Sequence, residues 1–80
     1  MQPPDTTIRE AAAPIDGVRE IHDISARTLG ERLFISLHCL VDGATLLWQA
    51  HEYSDLLEAA IRRAIPAAQS VKIHIEPEDH

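Results

Sequence analysis

The sequence predicts an α+β domain with two layers, in which helices cover one face of a small three-stranded sheet. Three stretches support this fold class. Residues 32–42 place an apolar side chain at every second position, residues 46–65 carry apolar side chains at three- and four-residue steps, and residues 71–76 alternate again. Alternation is typical of strands, and the wider spacing is typical of an amphipathic helix. With a short helix at the start, the expected order is α-β-β-α-β.

The short first helix is predicted from Thr6 to about Ala13, with Asp5 as its N-cap and Pro14 ending it. Residues 1–14 are thus expected to hold a leader and this helix, and residues 15–80 a single domain. A chain of 80 residues buries only about 60% of its unfolded surface, so its core is expected to be small. Dimerisation or a bound metal ion would add stability.

The next two strands are predicted to form a hairpin. The first is expected over residues 18–27, although its apolar residues Val18, Ile21 and Ile24 do not share one parity. A β-bulge would reconcile them. A turn at residues 29–31 leads into the second strand, over residues 32–42. Because this connection is too short for a crossover, the two strands are expected to be antiparallel.

A long helix is predicted from about residue 46 to residue 65, with Thr45 as its N-cap and Pro66 closing it. Its apolar residues recur on one face, which we expect to lie on the core. These residues are Leu46, Ala50, Tyr53, Leu57, Ile61 and Ala64. The single cysteine, Cys39, has the parity of the core face of the second strand and is expected to be a small core residue.

The final strand gives the first indication of function. It is predicted to begin at Val71 and to end at Pro77, which lacks the N–H group that a regular ladder needs. Because side chains alternate, His74 and Glu76 share one face. An imidazole and a carboxylate on rigid backbone suit a divalent metal ion if more ligands converge there. The other candidates are His22, His38 and His51, each of which alone is more simply explained as a surface residue.

Composition excludes several classes of protein. The net charge of −6 argues against nucleic acid and anionic membranes as partners, because both favour a basic surface. The single cysteine excludes an intrachain disulfide and fits a reducing compartment. No apolar run approaches the roughly 18–20 residues of a membrane span, and the N-terminus lacks a signal peptide. The chain is therefore expected to be soluble and cytoplasmic.

Four segments, in their order and spacing, make the metal interpretation more specific. They are residues His22 to Arg27, Phe34 to His38, Gln49 to His51, and Val71 to Pro77. Together they resemble the cytoplasmic C-terminal domain of the cation diffusion facilitator transporters. The resemblance covers about residues 14–77. It implies a metallochaperone-like (ferredoxin-like) fold that forms a homodimer and binds zinc or a similar divalent ion, so that cytosolic metal regulates an attached transport domain.

The resemblance also implies which residues bind metal. His22, His38, His51 and His74 match ligands of the family, and Glu76 stands where the family often has an aspartate that bridges two ions. The largest departure from the family is that the given sequence shows no segment like the family's transmembrane domain. We expect either an excised part of a transporter or a free-standing small relative, and the leader at Met1 slightly favours the second. Trp48 is expected either to pack on a partner chain or to cover the edge of its own core.

The sequence thus predicts a homodimeric, non-enzymatic domain that binds divalent metal ions and prefers zinc. The alternative is an ACT-like module that binds a small organic ligand or a protein without metal. A small hydrolase is not expected, because the sequence shows no nucleophile elbow, phosphate loop or metalloprotease helix. His80, with Glu78 and Asp79, could add donors at the chain end. Sensing, storage and delivery of metal all need similar ligands and remain open, as does the number of ions.

Overall fold

The computed structural model describes residues 4–78 and has the predicted order of elements. The elements are α1 (Pro4–Ala12), β1 (Val18–Leu29), β2 (Arg32–Val41), α2 (Leu47–Ala64) and β3 (Ala68–Pro77). The sheet order is β1-β2-β3, with β2 in the centre. β1 and β2 are antiparallel, whereas β3 is parallel to β2 because α2 carries the chain back across the sheet.

The alternation of β2 separates the two faces of the sheet. Its buried positions follow one parity, and their side chains pack against both helices. The buried core comprises Ile8, Ala12, Ile21, Ile35, Leu37, Cys39, Val41, Leu57, Ile61, Ala68 and Val71. Both helices therefore lie on one face. The other face, which carries Phe34, Ser36, His38 and Leu40, is only half-buried.

The predicted bulge in β1 is confirmed. The pairing of β1 with β2 shifts register twice, between Val18 and Glu20 and between His22 and Ser25. Ile21 is buried, and Val18 and Ile24 pack against the same core despite their mixed parity. At the second shift Asp23 has a positive φ of 52°, a conformation that short polar residues tolerate better than most.

The hairpin turn is also where the sequence places it. Leu29 pairs with Arg32, so Gly30 and Glu31 form a two-residue connection. Gly30 has a φ of 64°, which only glycine adopts without steric cost.

The start of α1 differs from the prediction. Pro4 is already helical, so Asp5 lies in the first turn and is not the N-cap. Proline suits the first helical position because its N–H would have no partner there. Ile8 and Ala12 of α1 are buried in the same core as the sheet. The rest of the predicted leader, residues 1–3, lies outside the described residues, and the boundary at residue 14 stays a prediction.

The ends of α2 also correct the prediction. Leu46, not Thr45, is the N-cap, and its backbone N–H donates to the Gln49 side-chain oxygen at 3.0 Å. Leu46 has an extended backbone, so its side chain leaves the helical stripe and is 56% exposed. Ala64, at the last helical position, is also exposed, because Ile65 beyond it packs on the core instead.

The last strand begins three residues earlier than predicted. Ala68 pairs with Leu33, and the Leu33 N–H donates to the Ala67 carbonyl at 3.0 Å. A register shift separates this pair from the next, Phe34 with Ser70, because Gln69 is an extra residue on β3. The strand ends at Pro77, as predicted.

Candidate metal centre

Three histidines form a row across the sheet. His38 on the central strand is the pairing partner of His22 on β1 and of His74 on β3. The ring centroids are 5.3 Å apart for His22 and His38 and 5.1 Å apart for His38 and His74. The row lies on the face that the helices leave uncovered. The side chains of His22 and His38 are about one-third exposed, and His74 is exposed, so a hydrated ion can reach all three.

Two carboxylates flank this row. Glu76 lies on β3 two residues beyond His74, and its Oε1 is hydrogen-bonded to Nδ1 of His38. Asp23 follows His22, and its Oδ2 lies 3.2 Å from Nδ1 of His22 and 3.8 Å from Nδ1 of His38. In a regular strand Asp23 would point away from His22. The bulge at Asp23 brings the carboxylate to the same side as the row.

The geometry suits a small divalent ion. One ligand atom from each of His22, Asp23 and His38 can be chosen so that all three lie within 4.8 Å of one another. In a tetrahedral site with bonds of 2.0–2.2 Å, ligand atoms are separated by about 3.4 Å. Small side-chain rotations would close that difference. His74 and Glu76, on the neighbouring strand β3, contact the same His38. The donors of the row and its flanks are therefore all nitrogen and oxygen, which fits zinc and similar divalent transition metals.

His51 lies apart from the row. It sits on α2, beyond the sheet, with its side chain 79% exposed and its Nε2 3.5 Å from Oδ2 of Asp55. The structure therefore brings together four of the five predicted ligands, His22, His38, His74 and Glu76. It does not bring His51 to them within one chain. Asp79 and His80 lie outside the described residues.

Asp23 is the one site residue that the sequence analysis did not propose as a ligand. A signal for it was present, since the parity break between Ile21 and Ile24 predicts a bulge within two residues of His22. A bulge re-aims the side chain it contains.

Cys39 takes no part in the row. Its side chain is fully buried on the helix-covered face, which confirms its place in the core. Burial raises the pKa of its thiol from 9.0 to about 11, because a thiolate loses its hydration there. A neutral, buried thiol is a poor metal ligand.

Trp48, by contrast, does not cover the core of its own chain. Its side chain is 64% exposed, and its neighbours Leu46 and Leu47 are 56% and 88% exposed. This patch, Leu46 to Trp48, lies at the start of α2.

Within residues 4–78 no helix is long and apolar enough to cross a membrane.

The two-layer fold with a row of nitrogen and oxygen donors on its open face defines a small α+β domain of metal-handling type. Comparison with known proteins agrees. A family model described as the cytoplasmic domain of cation efflux proteins matches residues 3–78, and the chain belongs to that family.

Individual relatives support this assignment. The chain is 38% identical over 70 residues to the cation-efflux pump FieF of Pectobacterium atrosepticum, covering 88% of this chain and 23% of the pump. It is 30% identical to metal tolerance protein C1 of Arabidopsis thaliana, covering 88% of this chain and 15% of that protein. The chain thus spans less than a quarter of the length of either curated relative.

Solved structures confirm the metallochaperone-like fold. A nickel form of a MamM C-terminal domain variant superimposes with a TM-score of 0.89 at 26% identity, covering 99% of this chain and 100% of that chain. A cadmium form of another variant gives a TM-score of 0.88 at 28% identity, covering 95% of each chain. A third similar structure is a copper form.

Proposed function

We propose that this chain is a homodimeric regulatory domain that binds a divalent metal ion, zinc by preference, on the open face of its sheet. The observation that carries the proposal is the aligned row of His22, His38 and His74, with Asp23 and Glu76 at its flanks. An incidental surface histidine would not explain three aligned histidines flanked by two carboxylates. His22, His74, Asp23 and Glu76 each lie against His38, so the row and its flanks offer more donors than the four that zinc needs.

Zinc is favoured by the ligand chemistry. Neutral imidazole and carboxylate are common zinc ligands, and no thiolate is near that would select softer ions. The MamM domains solved as nickel, copper and cadmium forms suggest that such a fold accepts several metals. We expect the same breadth here, with availability deciding among them.

Dimerisation is supported by the surface at the start of α2. Leu46, Leu47 and Trp48 expose consecutive large apolar side chains, which a monomer rarely leaves in water. An 80-residue chain also gains from a second copy, since its own core is small. We propose that His51, which lies apart within one chain, would contribute to metal binding only from a partner chain.

Regulation follows from linkage. If metal binds one dimer geometry more tightly than another, added metal shifts the population toward that geometry. In a longer transporter of this family, such a shift would couple the cytosolic metal concentration to the conformation of the transmembrane domain.

The test is a calorimetric zinc titration of metal-stripped protein beside His38→Ala and Glu76→Gln. We expect saturable binding in the wild type and an affinity at least about 100-fold lower in His38→Ala, because the row loses its central ligand. Glu52→Gln, an exposed carboxylate change on α2, is the matched control and is expected to bind as the wild type does. His51→Ala should weaken binding only if a partner chain supplies that ligand. Unchanged titrations in His38→Ala and Glu76→Gln would overturn the site.

A module that binds a small organic ligand without metal is the alternative. The two are separated by thermal unfolding with and without zinc. At a free zinc concentration of 100 times Kd, binding to the folded state alone adds about 2.7 kcal/mol to the free energy of unfolding. Equal melting temperatures, together with no metal by elemental analysis after purification, would favour the alternative.

A further inference from the structure

The open face of the sheet has a second half with different chemistry. Moving from His38 toward the start of β2, the next two rows on that face contain no histidine and no carboxylate. They consist of Ser25, Ser36 and Lys72 in one row and Arg27, Phe34 and Ser70 in the next.

These six residues line a shallow cavity of about 350 Å³. Among the residues that the structure describes, the side chains of Arg27 and Lys72 make no hydrogen bond or ion pair. Three other cations of the described residues are engaged: Arg9 donates to the Ile21 carbonyl, Arg19 pairs with Asp42, and Arg62 pairs with Glu58. Two unpaired cations therefore face one cavity in a chain whose net charge is −6.

The remaining polar groups of the cavity are hydrogen-bond donors that have no protein partner. The hydroxyls of Ser25, Ser36 and Ser70 make no side-chain hydrogen bond within residues 4–78. A serine hydroxyl donates readily to an anionic oxygen. Phe34 occupies the middle strand between Arg27 and Ser70 and gives the cavity an apolar wall.

We propose that this cavity binds a small oxyanion, a phosphate or a carboxylate. The planar guanidinium of Arg27 can hold two oxygens of either group at once, and Lys72 supplies a point charge from the other edge strand. The three hydroxyls lie between and beside them. The volume accommodates an ion of the size of phosphate or citrate, and no acidic side chain lines the cavity to repel it.

The oxyanion site is distinct from the metal row. Ser36 lies two residues from His38 along β2, a separation of about 7 Å. A cation in the row would attract an anion in the cavity at that distance. The proposal does not depend on this attraction, so its test uses metal-free protein and is independent of zinc binding.

The experiment is an NMR titration of ¹⁵N-labelled, metal-stripped protein with sodium phosphate and, separately, sodium citrate. Ionic strength is held constant with sodium chloride, and the pH is held at 8 throughout. We expect saturating amide shifts centred on residues 25–27, 34–36 and 70–72. Saturation by phosphate assigns that anion, and saturation by citrate assigns a carboxylate ligand.

The variants Arg27→Gln and Lys72→Gln should each weaken binding about tenfold, because each removes a charge-assisted hydrogen bond. Both side chains are exposed and without partners, so the variants should retain the dispersed spectrum of the folded protein. Arg63→Gln, an exposed cation on α2, is the matched control and should leave the affinity unchanged. Shifts that rise linearly without saturation, shifts centred on the histidine row, or equal affinities in wild type and Arg27→Gln would overturn the proposal.

Discussion

Asp23 offers the sharpest test of how the backbone builds the site, because it combines a strained conformation with a proposed ligand. Its φ is 52° at the β1 bulge, and its carboxylate lies against His22. Three replacements separate the two roles. Asn keeps the shape and removes the charge, Gly removes the side chain and relaxes the backbone, and Ala removes the side chain but keeps the strain.

The magnitude follows from the conformation. A residue with a Cβ pays about 1–2 kcal/mol in the left-handed region unless a short polar side chain compensates. The Asp23 side chain is 68% exposed, so its contact with His22 contributes only about 0–1 kcal/mol. Without metal, we therefore expect Asp23→Ala to be about 1 kcal/mol less stable than Asp23→Gly. In a domain of this size that difference lowers Tm by about 4–8 °C.

The assay is thermal unfolding by circular dichroism in a metal-free buffer, followed by zinc calorimetry on the same samples. Asp23→Asn and Asp23→Gly should melt within about 4 °C of the wild type, and all three variants should bind zinc more weakly. Equal stability of the Ala and Gly variants would refute the strained bulge. Wild-type zinc affinity in Asp23→Asn would refute the carboxylate as a ligand, whatever the stabilities are.

Three further outcomes are expected. Leu57→Ala should lower the free energy of unfolding, measured in urea, by about 2–5 kcal/mol, because Leu57 is fully buried. Leu56→Ala at the adjacent position, where the leucine is 51% exposed, should lower it by less than about 1 kcal/mol. Gly17→Ala should lower the free energy of unfolding by about 2–4 kcal/mol, because Gly17 has a φ of 96° and an added Cβ would overlap the Tyr53 ring. In the double variant with Tyr53→Ala the overlap should disappear, while the cost of the positive φ should remain. Iodoacetamide at pH 8 should modify Cys39 at least about 100-fold more slowly in the native protein than in urea, because burial raises its pKa to about 11; equal rates would contradict its burial.

The central strand shows what local pattern can predict. Its two faces meet different surroundings, the helices on one side and the open face on the other, so the alternation from Ile35 to Val41 reports burial directly. The same reasoning placed His74 and Glu76 on the open face. The order of the elements followed from such patterns with short connections between them.

The predicted ends of α2 and the start of β3 were wrong, because contacts that the local sequence pattern does not contain set these boundaries. Thr45 is a better N-cap than Leu46 by residue type, but the Gln49 side chain satisfies the Leu46 N–H and moves the helix start. Ala64 fits the stripe by spacing, yet the chain leaves the helix there and Ile65 takes its place on the core. The early start of β3 depends on pairing with Leu33, a residue far away in sequence.

The candidate site also contains residues that the sequence predicted and one that it did not. Parity and the resemblance to a transporter family led to four residues that the sheet brings together. Asp23 was missed as a ligand because its side-chain direction is set by a bulge, whose presence but not whose position was predicted. The role of His51 stays a prediction, because a helix on the covered face can reach the row only from another chain.

The central claim is that zinc binds to the histidine row, and X-ray absorption at the zinc edge tests it most directly. Protein loaded with one equivalent of zinc should show a first shell of nitrogen and oxygen at about 2.0–2.1 Å, with the outer-shell scattering of at least two imidazoles. That imidazole signal should fall in His38→Ala. A sulfur shell at about 2.3 Å, or an oxygen shell without imidazole, would contradict the claim.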